Sequence, residues 1–344
     1  MSNTRAESAR FAFSSSKSNV GLIHVPDQRL GELAAIVQPK KITPATIEII
    51  DIPGLTKGSS HGEGIGNTFL ADIRNTDALI HVLRCFDDPM LPHIEGSVNP
   101  VRDKETVDLE LQIKDLESVE KKIQKLEKLS KMGEKDAHHG RDVLEICKKH
   151  LGDMQPVRTA PIAEADRVWF ADLFLLTAKP VIYVCNVDES SAVSGNNYVS
   201  RLRDAVSSEQ TDVMVIAAAL EADIAELESQ EDRSAFLEDA GLKEPGVNKM
   251  IRSAYSLLNQ ISFFTAGPKE VRAWTIRRGM TIQQAAGVIH SDMERGFIRA
   301  EVIKYDDLLQ FGSEHACKEA GRIAIEGKNY IVEDGDVIFV RFNV

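Results

Sequence analysis

TIEIIDIPGLTKGSSHGEGIGNTF, spanning Thr46 to Phe69, is the stretch on which the reading of this chain turns. It starts as an apolar strand through Ile47, Ile49 and Ile50, reaches Asp51, and turns at Pro53 and Gly54. It then runs into a loop carrying Gly58, Gly62, Gly64 and Gly66. A carboxylate at a strand tip can hold Mg²⁺ through water, and a glycine just beyond it lets a backbone N–H approach a terminal phosphate with no Cβ in the way. Asp and Gly are also ordinary turn residues, so the string gains meaning only from what stands at the other strand ends.

Working outward, Asn19–Pro26 alternates as a strand, and Asp27–Val37 places Leu30, Leu33 and Val37 at helical spacing. Beyond the glycine loop, Asn67–Asn75 predicts a short helix. ALIHVLRCF (Ala78–Phe86) is almost continuously apolar, as a parallel strand covered on both faces requires. Two more such strands follow, Pro180–Asn186 and Val213–Ala217, alternating with predicted helices at Tyr198–Ser208 and Ile224–Asp239. That alternation is α/β winding. Between the two halves, Leu109, Leu116, Val119, Ile123 and Leu126 recur at three- and four-residue steps, Gly133 interrupts, and Val143, Leu144, Cys147 and Leu151 resume. The pattern predicts an inserted antiparallel helical hairpin. Its Lys121, Lys122, Lys125, Lys128 and Lys131 form either a solvated face or a surface for an anionic partner.

The strand ends carry the chemistry. PVIYVC runs into Asn186-Val187-Asp188-Glu189. An Asn-x-x-Asp in this place reads guanine, the Asp accepting from both N–H groups on the base edge. Glu189 occupies the fourth position here, and a longer carboxylate should no longer favour guanine over adenine. The next strand ends in Ala217-Ala218-Ala219, small residues that let the backbone wrap a base. Asp51–Gly54, Asn186–Glu189 and Ala217–Ala219 thus fall at three successive strand C-termini, where open α/β sheets bind ligands.

The chain has 344 residues, 43% of them hydrophobic and 27% charged, which suits a soluble protein of two or three domains. A net charge of −12 excludes a global field toward nucleic acid or an anionic membrane, so such binding needs a local patch, and DNA is not expected as a partner. Cys85, Cys147, Cys185 and Cys317 are widely spaced and read as reduced thiols of a cytoplasmic protein. No apolar run is long enough to span a membrane. Lys269–Val344 is near charge balance and reads as a small mixed unit with strands at Val271–Ile276, Ala300–Ile303, Tyr330–Val332 and Val337–Phe342 and a helix at Ile282–Ile289. Within it Arg272, Arg277, Arg278, Arg295 and Arg299 fall near Trp274 and Phe297 in sequence, a composition that suits RNA phosphates and stacking, or an ordinary surface.

DIPGLTKGSSHGEGIGNTFLADIRNTDALIHVLRCF, KPVIYVCNVDE, FFTAGPKEVRAW, GFIRAEVIKYDDL and DGDVIFVRFNV together resemble the YchF or Obg-like ATPases, of the Obg branch of translation-factor GTPases. The resemblance extends from about Thr4 to Val344. It implies a P-loop GTPase-like parallel sheet with an inserted α-helical hairpin and a C-terminal TGS domain of β-grasp fold. The divisions it implies are 1–104 and 177–262 for the nucleotide-binding part, 105–176 for the helical insertion and 263–344 for the TGS domain. It further implies ATP preferred over GTP through Glu189, Mg²⁺ with the nucleotide, ribosome or rRNA contact, and base contacts from Asn186, Val187, Ala218, Ala219 and Leu220. Leu55 follows Gly54 where Ras-like proteins place a water-orienting Gln, and an aliphatic side chain cannot orient water. His61 in the glycine loop is the catalytic candidate.

One departure is large. The family's phosphate loop, G-x-x-x-x-G-K-[ST], should stand on the first strand, and the sequence contains none. Arg322 and Asn329 replace the first Gly and the hydroxyl residue around Gly327-Lys328, and Phe11-Ala12-Phe13-Ser14-Ser15-Ser16 replaces the stretch that brings the Mg²⁺-binding Thr. Met1–Ser18 therefore aligns with family interior and is not read as a transit peptide, despite its Ser- and Arg-rich composition. The first strand lies between Thr46–Asp51 and Ala78–Phe86 in this fold, and losing it leaves buried amides unpaired at about 1–3 kcal/mol each, against a total stability of about 5–15 kcal/mol. Either the neighbours close up, the N-terminal segment substitutes, or the chain is a fragment of a longer product; the fragment is the favoured expectation. The two functions to weigh are a ribosome-associated ATPase with impaired hydrolysis and a non-catalytic ribosome- or RNA-binding protein with a degenerate nucleotide domain.

Overall fold

The computed structural model describes residues 19–52, 65–209 and 211–343, without the side chains of 65–68 and 135. The chain runs β1 (Asn19–His24), α1 (Gln28–Val37), β2 (Ile42–Thr43), β3 (Thr46–Asp51), α2 (Ile65–Arg74) and β4 (Leu79–Arg84), then the hairpin helices α3 (Pro100–Lys131) and α4 (Lys135–Gly152). It continues through β5 (Val181–Asn186), α5 (Asn197–Ala205), β6 (Val213–Ile216), α6 (Ala218–Glu226), α7 (Gln230–Asp239) and α8 (Gly246–Leu257). The last stretch holds β7 (Gln260–Ala266), β8 (Val271–Arg277), α9 (Ile282–Ile289), α10 (Ser291–Arg295), β9 (Phe297–Ile303), α11 (Tyr305–Phe311), α12 (Glu314–Glu319), β10 (Ala324–Glu326) and β11 (Val337–Phe342). These elements form two compact units: Ile50–Val247, and Leu22–Ile49 together with Asn248–Val344. The sequence reading kept 1–104 within the nucleotide-binding part; the structure instead assigns 22–49 to the C-terminal unit.

In the first unit, β4, β5 and β6 make a parallel sheet, with Leu79 opposite Val181 and Tyr183 opposite Val213. Among the described residues β4 pairs on one side only, with β5, while β3 lies in a separate pair with β1. The two strands expected to flank a central one are therefore not joined to each other. The core is built from Cys85, Tyr183, Cys185, Val199, Leu202, Leu220 and Ile224, and all four cysteines are free and buried. The helix expected over Ile224–Asp239 is two helices. The first ends at Glu226, and Ser229 starts the second by accepting from Asp232 N at 2.9 Å.

The helical hairpin forms as its periodicity predicts. Asn99 caps α3 by accepting from Arg102 N at 3.2 Å, Pro100 occupies its first turn, and Gly133, with φ +95°, ends it in a conformation that costs glycine nothing. Val119, Ile123, Leu126, Leu144, Cys147 and Leu151 fill the seam. Asp115, 1% exposed, holds the hairpin to the returning chain. It accepts from Leu176 N at 2.8 Å, Thr177 N at 2.7 Å and the Thr177 hydroxyl at 2.6 Å.

A second buried polar cluster lies where α3 meets β5. Glu209 accepts from the Tyr183 hydroxyl at 2.9 Å and pairs with Arg158 and Lys104, each at 2.7 Å; Lys104 also pairs with Asp108 at 2.7 Å. Desolvation works to raise the Glu209 pKa, but Arg158 and Lys104 hold it below the usual carboxylate range. His81 on β4 packs 5.8 Å from the Tyr183 ring, and desolvation, reinforced by the Lys104 and Arg158 charges, lowers its pKa to about 4.

In the C-terminal unit a six-stranded sheet has the order β10-β9-β11-β7-β8-β2, the β-grasp arrangement with β2 added at its edge. β11 lies parallel to β7 and antiparallel to β9. The Phe263 face packs with Ile276, Ile282, Ala285, Ala300 and Val302 under α9, while α1 lies against β7 and β8 with Leu30, Leu33 and Ala34 buried. Arg29 sits 5.2 Å from the Phe264 ring centroid and pairs with Asp27 and Asp334. Tyr330–Val332, expected as a strand, makes only an isolated bridge from Ile331 to Thr281.

Asp115→Ala leaves two backbone donors in a dry site and is expected to lower stability by about 2–4 kcal/mol; an unchanged urea midpoint would remove Asp115 from this role. Acidification should destabilise the protein. The unfolded chain binds the His81 proton at the ordinary 6.5 and the folded one at about 4, so stability drops as pH falls across that window. Glu209 adds to the loss in the same direction at the acid end, its folded value lying below its unfolded one. Melting curves of His81→Gln should depend less on pH than wild type over this range; parallel curves would refute the assignment.

Candidate nucleotide site

Asn186 ends β5, and its side-chain oxygen accepts from Ala218 N at 3.0 Å, so one amide ties the tip of β5 to the first turn of α6. Val187 continues the ladder through its N–H to Ile216 O at 2.9 Å, and its side chain is buried. Asp188 is committed to its own turn, accepting from Ser191 N at 3.0 Å and the Ser190 hydroxyl at 2.5 Å. Glu189, opening the short helical turn to Ser191, is exposed. The turn therefore engages one oxygen of Asp188 and leaves the Glu189 carboxylate on the surface.

Ala218 and Ala219 are exposed at the start of α6, which Ala217 cannot cap with its own side chain, whereas Leu220 turns its side chain into the core. Any contact Leu220 makes with a base there is through its backbone. Asp51 ends β3 exposed, as a carboxylate that binds a hydrated cation must be. Gly54 and His61 lie outside the described residues.

Sequence reasoning passed over a histidine that pairs with a carboxylate of α3. His93, in the loop after β4, places Nε2 3.0 Å from the Asp103 carboxylate, and its Nδ1 accepts from Glu95 N at 3.1 Å. Nδ1 acting as acceptor leaves the proton of the neutral ring on Nε2, pointing at Asp103. Arg84 shapes this loop by donating to Phe86 O at 3.0 Å and Leu91 O at 2.7 Å. Nothing in the spacing of His93 and Asp103 marks them in the sequence as partners.

The five arginines near one another in sequence do not form one patch. Arg272, stacked 3.7 Å from the Trp274 ring centroid, lies on the sheet face of Phe263, whereas Arg277 and Arg299 alternate onto the other face. Those two sit at opposite ends of it. Arg277 pairs with Gln260, four residues before Phe264, and Arg299 pairs with Arg341, four beyond Val337, which is level with Phe264. Eight residues at about 3.3 Å each separate them by roughly 26 Å. Arg278 follows in the turn after β8, and Arg295 is bound to Asp292 at 2.5 Å. On the hairpin, Lys121, Lys125 and Lys128 share one solvent face of α3, while Lys122 pairs with Asp172.

A parallel sheet presenting Asn186 and an open helix start at its C-terminal edge, a helical insertion and a β-grasp unit together define a GTPase-like α/β protein. Residues 1–138 match the family described as 50S ribosome-binding GTPase, and residues 260–343 match the YchF-GTPase C-terminal family, described as a protein of unknown function. The ribosome-binding ATPase YchF of Bacillus subtilis (strain 168) is 46% identical over 341 residues, covering 98% of this chain and 93% of its own length. The protein of that name from Escherichia coli O157:H7 is 45% identical over 338 residues, with coverage of 98% and 93%. The structure of the Schizosaccharomyces pombe YchF GTPase superposes with a TM-score of 0.85 at 35% identity, covering 94% of this chain and 87% of that one. The chain belongs to the YchF family.

Asn186→Ala should release the start of α6 and raise the amide exchange of Ala218 about tenfold, by the loss of one neutral hydrogen bond. Unchanged exchange at Ala218 would show that this amide does not organise the site.

Proposed function

We propose that the protein is a cytoplasmic, ribosome-associated ATP-binding protein of the YchF type, with its C-terminal unit acting as a TGS domain. The observation that carries the nucleotide part is the bond from Ala218 N to the Asn186 side chain, beside an exposed Glu189 at the same strand end. Glu189 accepts from the adenine amino group, which explains a preference for ATP over GTP. Asp51 holds Mg²⁺ through water, and the Gly54 N–H contacts the terminal phosphate. When bound, Mg²⁺ supplies neutralisation of phosphate charge. His61 orients the attacking water. His93 is the second candidate for that task, favoured by its ordered contact with Asp103. These 344 residues contain no G-x-x-x-x-G-K-[ST], the motif whose lysine neutralises the β- and γ-phosphates in such sites.

The second reading is a non-catalytic ribosome- or RNA-binding protein whose nucleotide domain is scaffold, and the stack of Arg272 on Trp274 favours it. Of the arginines, Arg272 with Trp274 is the pair fitted to stack on RNA, with Arg277, Arg278, Arg295 and Arg299 as separate phosphate contacts.

Titration with ATP and GTP in Mg²⁺ separates the readings: micromolar ATP binding is expected, and no binding of either nucleotide would leave the scaffold reading. Glu189→Asp should move the ATP-to-GTP affinity ratio about tenfold toward GTP, and an unmoved ratio would refute base reading by Glu189. Where turnover is measurable, loss of it in His61→Ala or in His93→Ala identifies the histidine that orients water.

A further inference from the structure

The turn that carries Glu189 is closed onto a single residue of the neighbouring strand. Its beginning is held by Cys85 N, which donates to Asn186 O at 2.7 Å. Its end is held by Asn196, whose side-chain Nδ2 donates to Cys85 O at 2.8 Å. Both backbone polar groups of Cys85 are thus spent on the two ends of one segment. Inside the loop, Asn196 Nδ2 lies 3.4 Å from Ser191 Oγ, and Gly195 N donates to Ser191 O at 2.8 Å. The Asn196 amide is used in full: its oxygen accepts from Tyr198 N at 3.0 Å and Val199 N at 3.3 Å and so caps α5. The Tyr198 hydroxyl donates to Asp87 at 2.7 Å, extending the clamp past Cys85 toward the loop that Arg84 organises.

We infer that Asn196 is the positioning residue for Glu189: its side-chain amide fixes the 187–196 loop against the end of β4 and thereby sets where the Glu189 carboxylate meets a base. The inference rests on the nucleotide reading given above. The physical reason is that the Glu189 side chain has no burial to hold it; its backbone is placed by the ends of the loop, by the Asp188 turn and by Ala192 N, which donates to Glu189 O at 3.1 Å. A cap alone would need only an acceptor at position 196, which Asp, Ser or Thr supply equally well. The donor function separates Asn from Asp, because Cys85 O needs a hydrogen-bond donor and an ionised carboxylate has none. The same contact joins the base-reading loop to the loop holding His93, since Cys85 is the residue between Arg84 and Phe86.

The variant that tests this is Asn196→Asp, which keeps both cap acceptors, removes the donor and adds a charge that acts alike on ATP and GTP. ATP and GTP affinities are measured by titration for wild type, Asn196→Asp, Glu189→Ala and the double variant, with amide exchange followed over residues 187–191. Asn196→Asp is expected to lower the ATP-to-GTP affinity ratio about tenfold, the loss of one neutral hydrogen bond, with thermal stability retained. In the Glu189→Ala background it should change the ratio no further, because the two act as one unit. An unchanged ratio in the single variant, or effects that multiply in the double, overturns the inference. If wild type binds neither nucleotide, the nucleotide reading fails on its own, and exchange decides the clamp: faster exchange at 187–191 in Asn196→Asp sustains the positioning role and unchanged exchange overturns it.

Discussion

The hydroxyl of Tyr183 is the constraint from which much of the larger unit follows. It stands in the middle of β5, whose first five residues are all buried, and a phenol there must find a partner. It takes Glu209. A carboxylate so placed must itself be paired, and Arg158 and Lys104 supply the charges. Lys104 belongs to α3, so satisfying one hydroxyl in the sheet fastens the inserted hairpin to it. Asp115 makes a second attachment two turns or more along the same helix, through backbone donors of 176 and 177. The insertion is thereby held at its root by polar groups of exacting geometry and along its length by an apolar seam.

The candidate site uses the sheet differently. Its polar residues sit where strands stop, and they are fixed by hydrogen bonds more than by burial. Asn186 holds the start of α6, Asp188 closes its own turn, and Asn196 closes the loop. A surface carboxylate such as Glu189 can then be available to a ligand and still be placed.

Much of this was legible in the residues. The strands of the parallel sheet announced themselves as apolar runs, and the hairpin by a stripe broken at Gly133, because both patterns are local. The apolar run Val181–Cys185 puts the motif at Asn186 at a strand end from sequence alone. Non-local pairing was not legible: nothing in Ile42-Thr43 says that its partner is Val271-Arg272. The arginines of the C-terminal unit misled because neighbours in sequence alternate between the faces of a strand. Tyr330–Val332 read as a strand from its β-formers, yet the chain there is occupied in a turn in which Tyr330 and Glu333 both bond Asp336. His93 and Asn196 escaped notice because a side-chain amide or imidazole gains its role from a partner that spacing does not reveal.

The recruitment of Leu22–Ile49 to the C-terminal sheet has a consequence for how the chain folds. Thr43 bonds Glu270 across 227 residues, and Arg29 bonds Asp334 across 305. Loop-closure entropy grows only slowly with length, so these contacts cost little at equilibrium, but they set a high contact order. On a ribosome making about 5–20 residues per second, α1 and β2 are synthesised more than ten seconds before the strands they pack on. For that interval an amphipathic helix with Leu30 and Leu33 on one side has no sheet to cover. The C-terminal unit is the last part of the protein to become native, although its first helix is among the earliest to be made.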